Sequence, residues 1–239
     1  MARPVILYLF IGHNRTGKSV TAQMYGNKWR VNNPNGIIAG YDPQHRFKHL
    51  IDPRYRLSMN EKGWWSGTKE RAAQGRRPLC ELRNALVICD DMRGLNQSNH
   101  TMSDFVRLME FRAEYSIDII LIVHKPKFIL EGISGYFSHI FIFYIKARVE
   151  EFETKVDDVL ECQKSAELLK NYVKAFPSIL EDPGQFYDKS GHGKHQFPHI
   201  VLDTNTGKLT PQNIYRPWLE ENWKRPIQDS VNSSQPNQE

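Results

Sequence analysis

A chain of 239 residues with 40% apolar and 11% aromatic residues can bury the core of one α/β domain with an appendage, and is too apolar to be disordered. Its formal net charge of +5 suits a polyanionic partner and is too small to demand one. The apolar runs 5–11, 85–89, 117–123 and 139–145 are far shorter than the about 20 residues of a bilayer-spanning helix, which excludes such a span; Cys80, Cys89 and Cys162 are too scattered for a disulfide framework or a CxxC metal site, as suits a reducing compartment.

In chain order, Val5–Ile11 reads as a continuous buried strand, since it leads into a glycine loop and not into a cleavage site. The loop, Gly12-His13-Asn14-Arg15-Thr16-Gly17-Lys18-Ser19, fits the phosphate-binding pattern G-x-x-x-x-G-K-[ST] in full. Ser19–Arg30 then carries Val20, Met24 and Trp29 at helical spacing. Glycines let backbone N–H groups curl around phosphates, the helix N-terminus favours an anion, Lys18 neutralises β- and γ-phosphate charge, and Ser19 is a ligand for Mg²⁺. Gly12, His13, Asn14, Arg15, Thr16, Gly17, Lys18, Ser19 and Val20 are therefore the expected binding set for ATP and Mg²⁺.

Asn33-Pro34-Asn35-Gly36 is turn chemistry, and Ile37–Tyr41 is a second strand stopped by Asp42-Pro43. Trp64-Trp65 suits a core or interface better than a base-stacking platform. In the basic stretch beyond, Lys69, Arg71, Arg76 and Arg77 read either as grips on DNA phosphates or as a solvated charged helix.

Ala85–Cys89 is a buried strand closed by Asp90-Asp91, a pair of the Walker B kind. Asp90 would hold the water shell of Mg²⁺, while Asp91 either activates an attacking water or caps the following turn. Ser103–Tyr115 has Phe105, Leu108, Met109 and Phe111 at helical spacing, followed closely by Arg112, a candidate arginine finger for a neighbouring subunit with Arg107 as its competitor. The strand Ile117–Val123 ends at His124, which either touches the γ-phosphate or the lytic water, or simply closes the strand.

A short helix and a strand over His139–Ile145 complete an alternation that predicts a mostly parallel sheet in three layers. Residues 149–176 read as helical, and His199–Leu202 with the turn Asp203–Gly207 as a hairpin. His192, His195 and His199 lack the neighbours and spacing of a zinc site. The expected organisation is a core over 1–148, a helical and hairpin extension packed on it over 149–227, and a disordered tail over 228–239.

The motif order resembles the FtsK/HerA superfamily of P-loop motor ATPases, above all the genome-packaging ATPases of tailless, membrane-containing viruses and phages. The resemblance covers residues 4–146 and rests on Val5–Ser19, Ile37–Pro43, Ala85–Asp91 and Phe111–Pro126. The family usually has Gln where this chain has His124, and Glu where it has Asp91. The resemblance implies a RecA-like P-loop fold and an ATPase that moves double-stranded DNA into a preformed capsid. It also implies a homo-oligomeric ring of six subunits with ATP at the interfaces, capsid vertex partners, and a place in the host cytoplasm or the virion. Lys18, Asp91, His124 and Arg112 would be its catalytic set. Zonular occludens toxin-like phage assembly ATPases share this core but generally carry a transmembrane helix. A small-molecule or nucleotide kinase would need a substrate lid and acceptor site, and a non-motor nucleotide switch would have a non-catalytic Asp91.

Overall fold

The computed structural model describes residues 4–12, 14, 16–58, 61–91, 99–124, 136–143, 199–206 and 208–212. Its strands are β1 (Leu7–Ile11), β2 (Ile37–Tyr41), β3 (Arg56–Leu57), β4 (Ala85–Asp90), β5 (Ile117–Val123), β6 (His139–Ile142), β7 (His199–Asp203) and β8 (Leu209–Gln212). Helices α1 (Lys18–Asn32), α2 (Lys69–Ala73) and α3 (Asn99–Phe111) lie between them. The strands form one sheet in the order β3-β2-β4-β5-β1-β6-β7-β8, parallel from β3 to β6 and antiparallel over the last two pairings.

Strand parity explains the layers. Successive side chains point to opposite faces, so Leu7, Leu9 and Ile11 join Val87, Cys89, Ile119 and Leu121 on one face, where Phe105, Leu108 and Met109 of α3 cover them. Phe10, Ile38, Leu86, Ile88, Ile120 and Ile122 fill the other face beneath Ala22 of α1. Both faces are covered, and that is why β4 and β5 are apolar without alternation and buried at every residue. The one acid among the apolar residues of β5, Asp118, is matched on both oxygens: Trp29 Nε1 donates to it at 2.6 Å and Ile6 N at 2.9 Å, which ties α1 to the sheet.

One element differs in its bounds from the sequence reading. Helix α3 starts four residues early and stops at Phe111, because Ser116 takes a left-handed φ of 55° and the closing bonds Tyr115 N to Phe111 O and Ile117 N to Arg112 O turn the chain straight into β5. Trp64 and Trp65 are core residues; the Trp64 N–H donates to Asp104 of α3 at 2.7 Å. The expected late hairpin is present as β7 and β8 and extends the sheet: β7 pairs with β6 from Ile142↔Ile200 to His139↔Asp203, and Ile200 and Leu202 join the main cluster. The expected short helix after His124, the helix over 149–176, His192, His195 and the tail over 228–239 lie outside the described residues.

Candidate active site

Parallel strands bring their C-terminal ends to one edge, so the loops after β1, β2, β4 and β5 meet there whatever their separation in sequence. Register sets the height of each group: Ile11 is level with Val123, and Asp90 with Ile122. Gly12 N donates to Val123 O at 3.3 Å, holding the start of the phosphate loop against the end of β5.

The loop closes on Gly17, which caps α1 at a φ of 93°, a left-handed conformation that glycine takes without a Cβ penalty. No side chain caps the helix and its first turn has no acid, so its leading N–H groups are not claimed by a local carboxylate. Lys18 is only 3% exposed; burial lowers its ammonium to about 8, with Asp90 pulling in the opposite direction. Asp90 is fully buried, neither of its oxygens has a hydrogen-bond partner among the described residues, and burial pushes its carboxyl up to about 6 against the pull of Arg46 and Lys18. A lysine and an aspartate desolvated together, at a height shared with a phosphate loop, form a site built for a charged ligand.

Two expected groups flank this pair. Asp91 takes a left-handed φ of 58°, a conformation that short acids tolerate better than most residues and that turns its side chain off the strand. Its Oδ1 lies 3.9 Å from His124 Nε2, so the second acid and the residue at the end of β5 are brought together. His124 and Asp91 are both buried. Cys89, between them and the core, is inert: burial pushes its thiol up to about 12.

A further residue here had no motif to announce it. Arg46, in the loop after β2, donates from Nη1 to Ser19 Oγ at 2.9 Å and lies 3.7 Å from Asp90 Oδ2. Asp42 fixes that loop by accepting from Arg46 N at 2.9 Å and Phe47 N at 2.7 Å. The available signal was Asp42-Pro43 at the end of a parallel strand, since the loop that follows such a strand lies at the ligand-binding edge of the sheet.

Ser19 Oγ and the unmatched oxygens of Asp90 fit a Mg²⁺ ion that takes its other ligands from phosphate and water. Among the described residues no group of three or more His, Cys, Asp or Glu is placed to hold a metal. His13 and Arg15 lie outside the described residues; Asn14 is exposed, Thr16 is half-buried on the loop and Val20 is half-buried in the first turn of α1.

The remaining expected residues lie elsewhere. Arg112 sits at the start of β5, so the length of that seven-residue strand, roughly 20 Å, separates it from the phosphate loop of its own chain. Its guanidinium donates to Met109 O and lies 4.4 Å over the Tyr136 ring, while Arg107 is exposed on α3. The basic stretch is mostly knitted together. Arg71 is a correction: it is 2% exposed, with Nη1 on Glu61 and Nη2 on Arg77 O, and burial lowers its pKa, so it is not presented to a phosphate. Arg76 is held by Arg56 O at 2.7 Å and Glu61 at 3.4 Å. Lys69 and Arg77 are exposed, Arg77 with Glu81 at 3.5 Å.

No family model and no curated protein matches the sequence. Solved structures do share its fold. The DNA-packaging ATPase B204 of Sulfolobus turreted icosahedral virus is 13% identical with a TM-score of 0.57, over 89% of this chain and 98% of that one. The genome-packaging NTPase B204 of Sulfolobus turreted icosahedral virus 2, in complex with sulfate, is 12% identical with a TM-score of 0.55, over 88% and 97%. The same NTPase in complex with ATP-gammaS is 10% identical with a TM-score of 0.51, over 90% and 100%. The chain has the fold of these viral packaging ATPases along almost their whole length, as its resemblance to the FtsK/HerA superfamily implied.

Proposed function

We propose that this chain is an ATPase motor that couples hydrolysis of Mg·ATP to the movement of double-stranded DNA into a preformed capsid, working as a homo-oligomeric ring. The observation that carries the reading is the gathering of Lys18, Ser19, Asp90, Asp91 and His124 at one sheet edge, on a fold shared with a packaging NTPase that has been solved with an ATP analogue. The N–H groups of the loop and Lys18 bind the phosphates. Bound Mg²⁺, held from the protein side by Ser19 and Asp90, would supply charge neutralisation at the phosphate oxygens. Asp91 orients a water for in-line attack on the γ-phosphorus; the bond from that phosphorus to the bridging oxygen of ADP breaks, and the water's proton passes to the carboxylate and on to solvent. His124, beside Asp91, reports the state of the γ-phosphate to the end of β5. Arg112, too far from its own loop, serves a neighbouring subunit, and Lys69 and Arg77 meet the DNA backbone. Attachment at the capsid vertex, in host cytoplasm or virion, completes the proposal.

Steady-state ATP hydrolysis with and without long duplex DNA, on samples whose mass is followed by light scattering, tests it. Stimulation in a ring-sized assembly is the expected result, and a ring without stimulation would count against a motor. Lys18→Ala should weaken nucleotide binding at least about 100-fold, since it removes the buried cation that meets the β- and γ-phosphates. Asp91→Asn should bind as the parent does and lose hydrolysis. Turnover retained in both variants would overturn the assignment.

A further inference from the structure

Among the described residues, Arg46 is a charged group at this edge that neither the phosphate-loop motif nor the strand-ending acids account for. Its Nη1 stands between Ser19 Oγ, at 2.9 Å, and Asp90 Oδ2, at 3.7 Å, the same two side chains that would hold Mg²⁺. A guanidinium and a divalent cation repel strongly at such separations, so the two cannot share that space. Asp90, fully buried with no hydrogen bond among the described residues, needs a cation beside it whenever it is ionised.

The loop is built to let a side chain swing from a fixed base. Arg46 N donates to Asp42 at 2.9 Å and its carbonyl accepts from Gln23 Nε2 of α1 at 2.6 Å, so the backbone is pinned at both ends of the residue. The side chain itself is 41% exposed, so a rotamer change meets water over much of its surface.

We infer that Arg46 is the counter-cation of this site before the metal arrives, holding Ser19 and neutralising Asp90, and that it yields this place to Mg²⁺ as the metal–nucleotide complex loads, turning its guanidinium to the phosphate oxygens. The inference rests on the reading of Ser19 and Asp90 as the Mg²⁺ groups, and deepens it by adding a gate on the metal. Arg46 keeps Mg²⁺ alone out of the site and offers a metal-free triphosphate a competing cation, so it lowers the advantage of the complex over either component.

The test uses the full chain. A fluorescent ATP analogue is titrated against the parent, Arg46→Met and Arg46→Lys, in EDTA and in millimolar Mg²⁺, and Mg²⁺ alone is titrated in thermal denaturation. The ratio of affinity in Mg²⁺ to affinity in EDTA should rise about fivefold in Arg46→Met, the worth of one partly exposed charge pair. It should rise less in Arg46→Lys, which keeps the charge, and Mg²⁺ alone should raise the melting temperature of Arg46→Met but not of the parent. A variant that loses the same factor in EDTA and in Mg²⁺ would make Arg46 a plain phosphate ligand and overturn the exchange. A parent that binds no nucleotide in either buffer would instead overturn the ATPase reading on which the exchange depends.

Discussion

Two regions of this molecule bury charge, and they do so differently. On the flank beyond β3, Arg71 is sealed in with partners on both terminal nitrogens, Glu61 and Arg77 O, and Asp104 accepts from the Trp64 N–H. At the C-terminal edge of the sheet, Asp90 is sealed in with no hydrogen bond among the described residues and only a 3.7 Å approach from Arg46. A buried charge most of whose hydrogen bonds are met, as at Arg71 with only Nε unmatched among the described residues, holds structure together, whereas one with none opposes folding. Burial alone therefore does not separate the two regions; the number of hydrogen bonds each charge makes does.

Replacing one charge in each region should break the comparison if it is wrong. Arg71→Met strands Glu61, which is partly exposed, and should cost about 2–3 kcal/mol in urea unfolding. Asp90→Asn should move stability the other way, by about 1–2 kcal/mol at pH 7, because the native state no longer carries an ionised carboxylate that burial disfavours. A loss of stability in both variants would remove the distinction between the regions.

Acidity sharpens the same contrast. With its folded pKa raised to about 6, Asp90 binds its proton more tightly in the native than in the unfolded chain, so its contribution to stability falls as pH rises from about 4 to 6 and the penalty is complete above that. In the parent, affinity for the Mg²⁺-nucleotide should be flat between about pH 6 and 8. It should fall below 6 as Asp90 takes a proton, and above 8 as Lys18, whose ammonium burial has lowered to about 8, loses one. Affinity rising steadily to pH 10 would show that Lys18 does not meet the phosphates. The smallest effect should come from the exposed members of the basic stretch. Lys69→Glu with Arg77→Glu should reduce DNA stimulation several-fold at low salt and leave basal hydrolysis alone; an equal loss in both would make the pair structural.

Much of the site was legible because its chemistry is local in the chain. The spacing of Gly12, Gly17, Lys18 and Ser19 defines a loop whose geometry depends on neighbours within one turn, and the unbroken apolar runs of β4 and β5 announce strands covered on both faces. Asp90-Asp91 and His124 were legible as strand endings for the same reason. Arg46 was not, since its meaning depends on β2 lying beside β4, a pairing between residues about fifty positions apart. Arg71 was misread because its partner, Glu61, lies ten residues upstream across a turn; the hairpin β7–β8 was legible from its turn, but not its edge pairing with β6, which spans a long stretch of chain.

Local periodicity, glycine conformation and residue chemistry were enough to specify the phosphate loop, the runs that become strands and the acids that end them, since backbone sterics and side-chain period act over a few residues. Strand order decided the rest: which loops share an edge, that a guanidinium from one of them stands between Ser19 and Asp90, and that Arg71 is enclosed. Those outcomes come from burying both faces of a single sheet, a condition set by the whole chain at once.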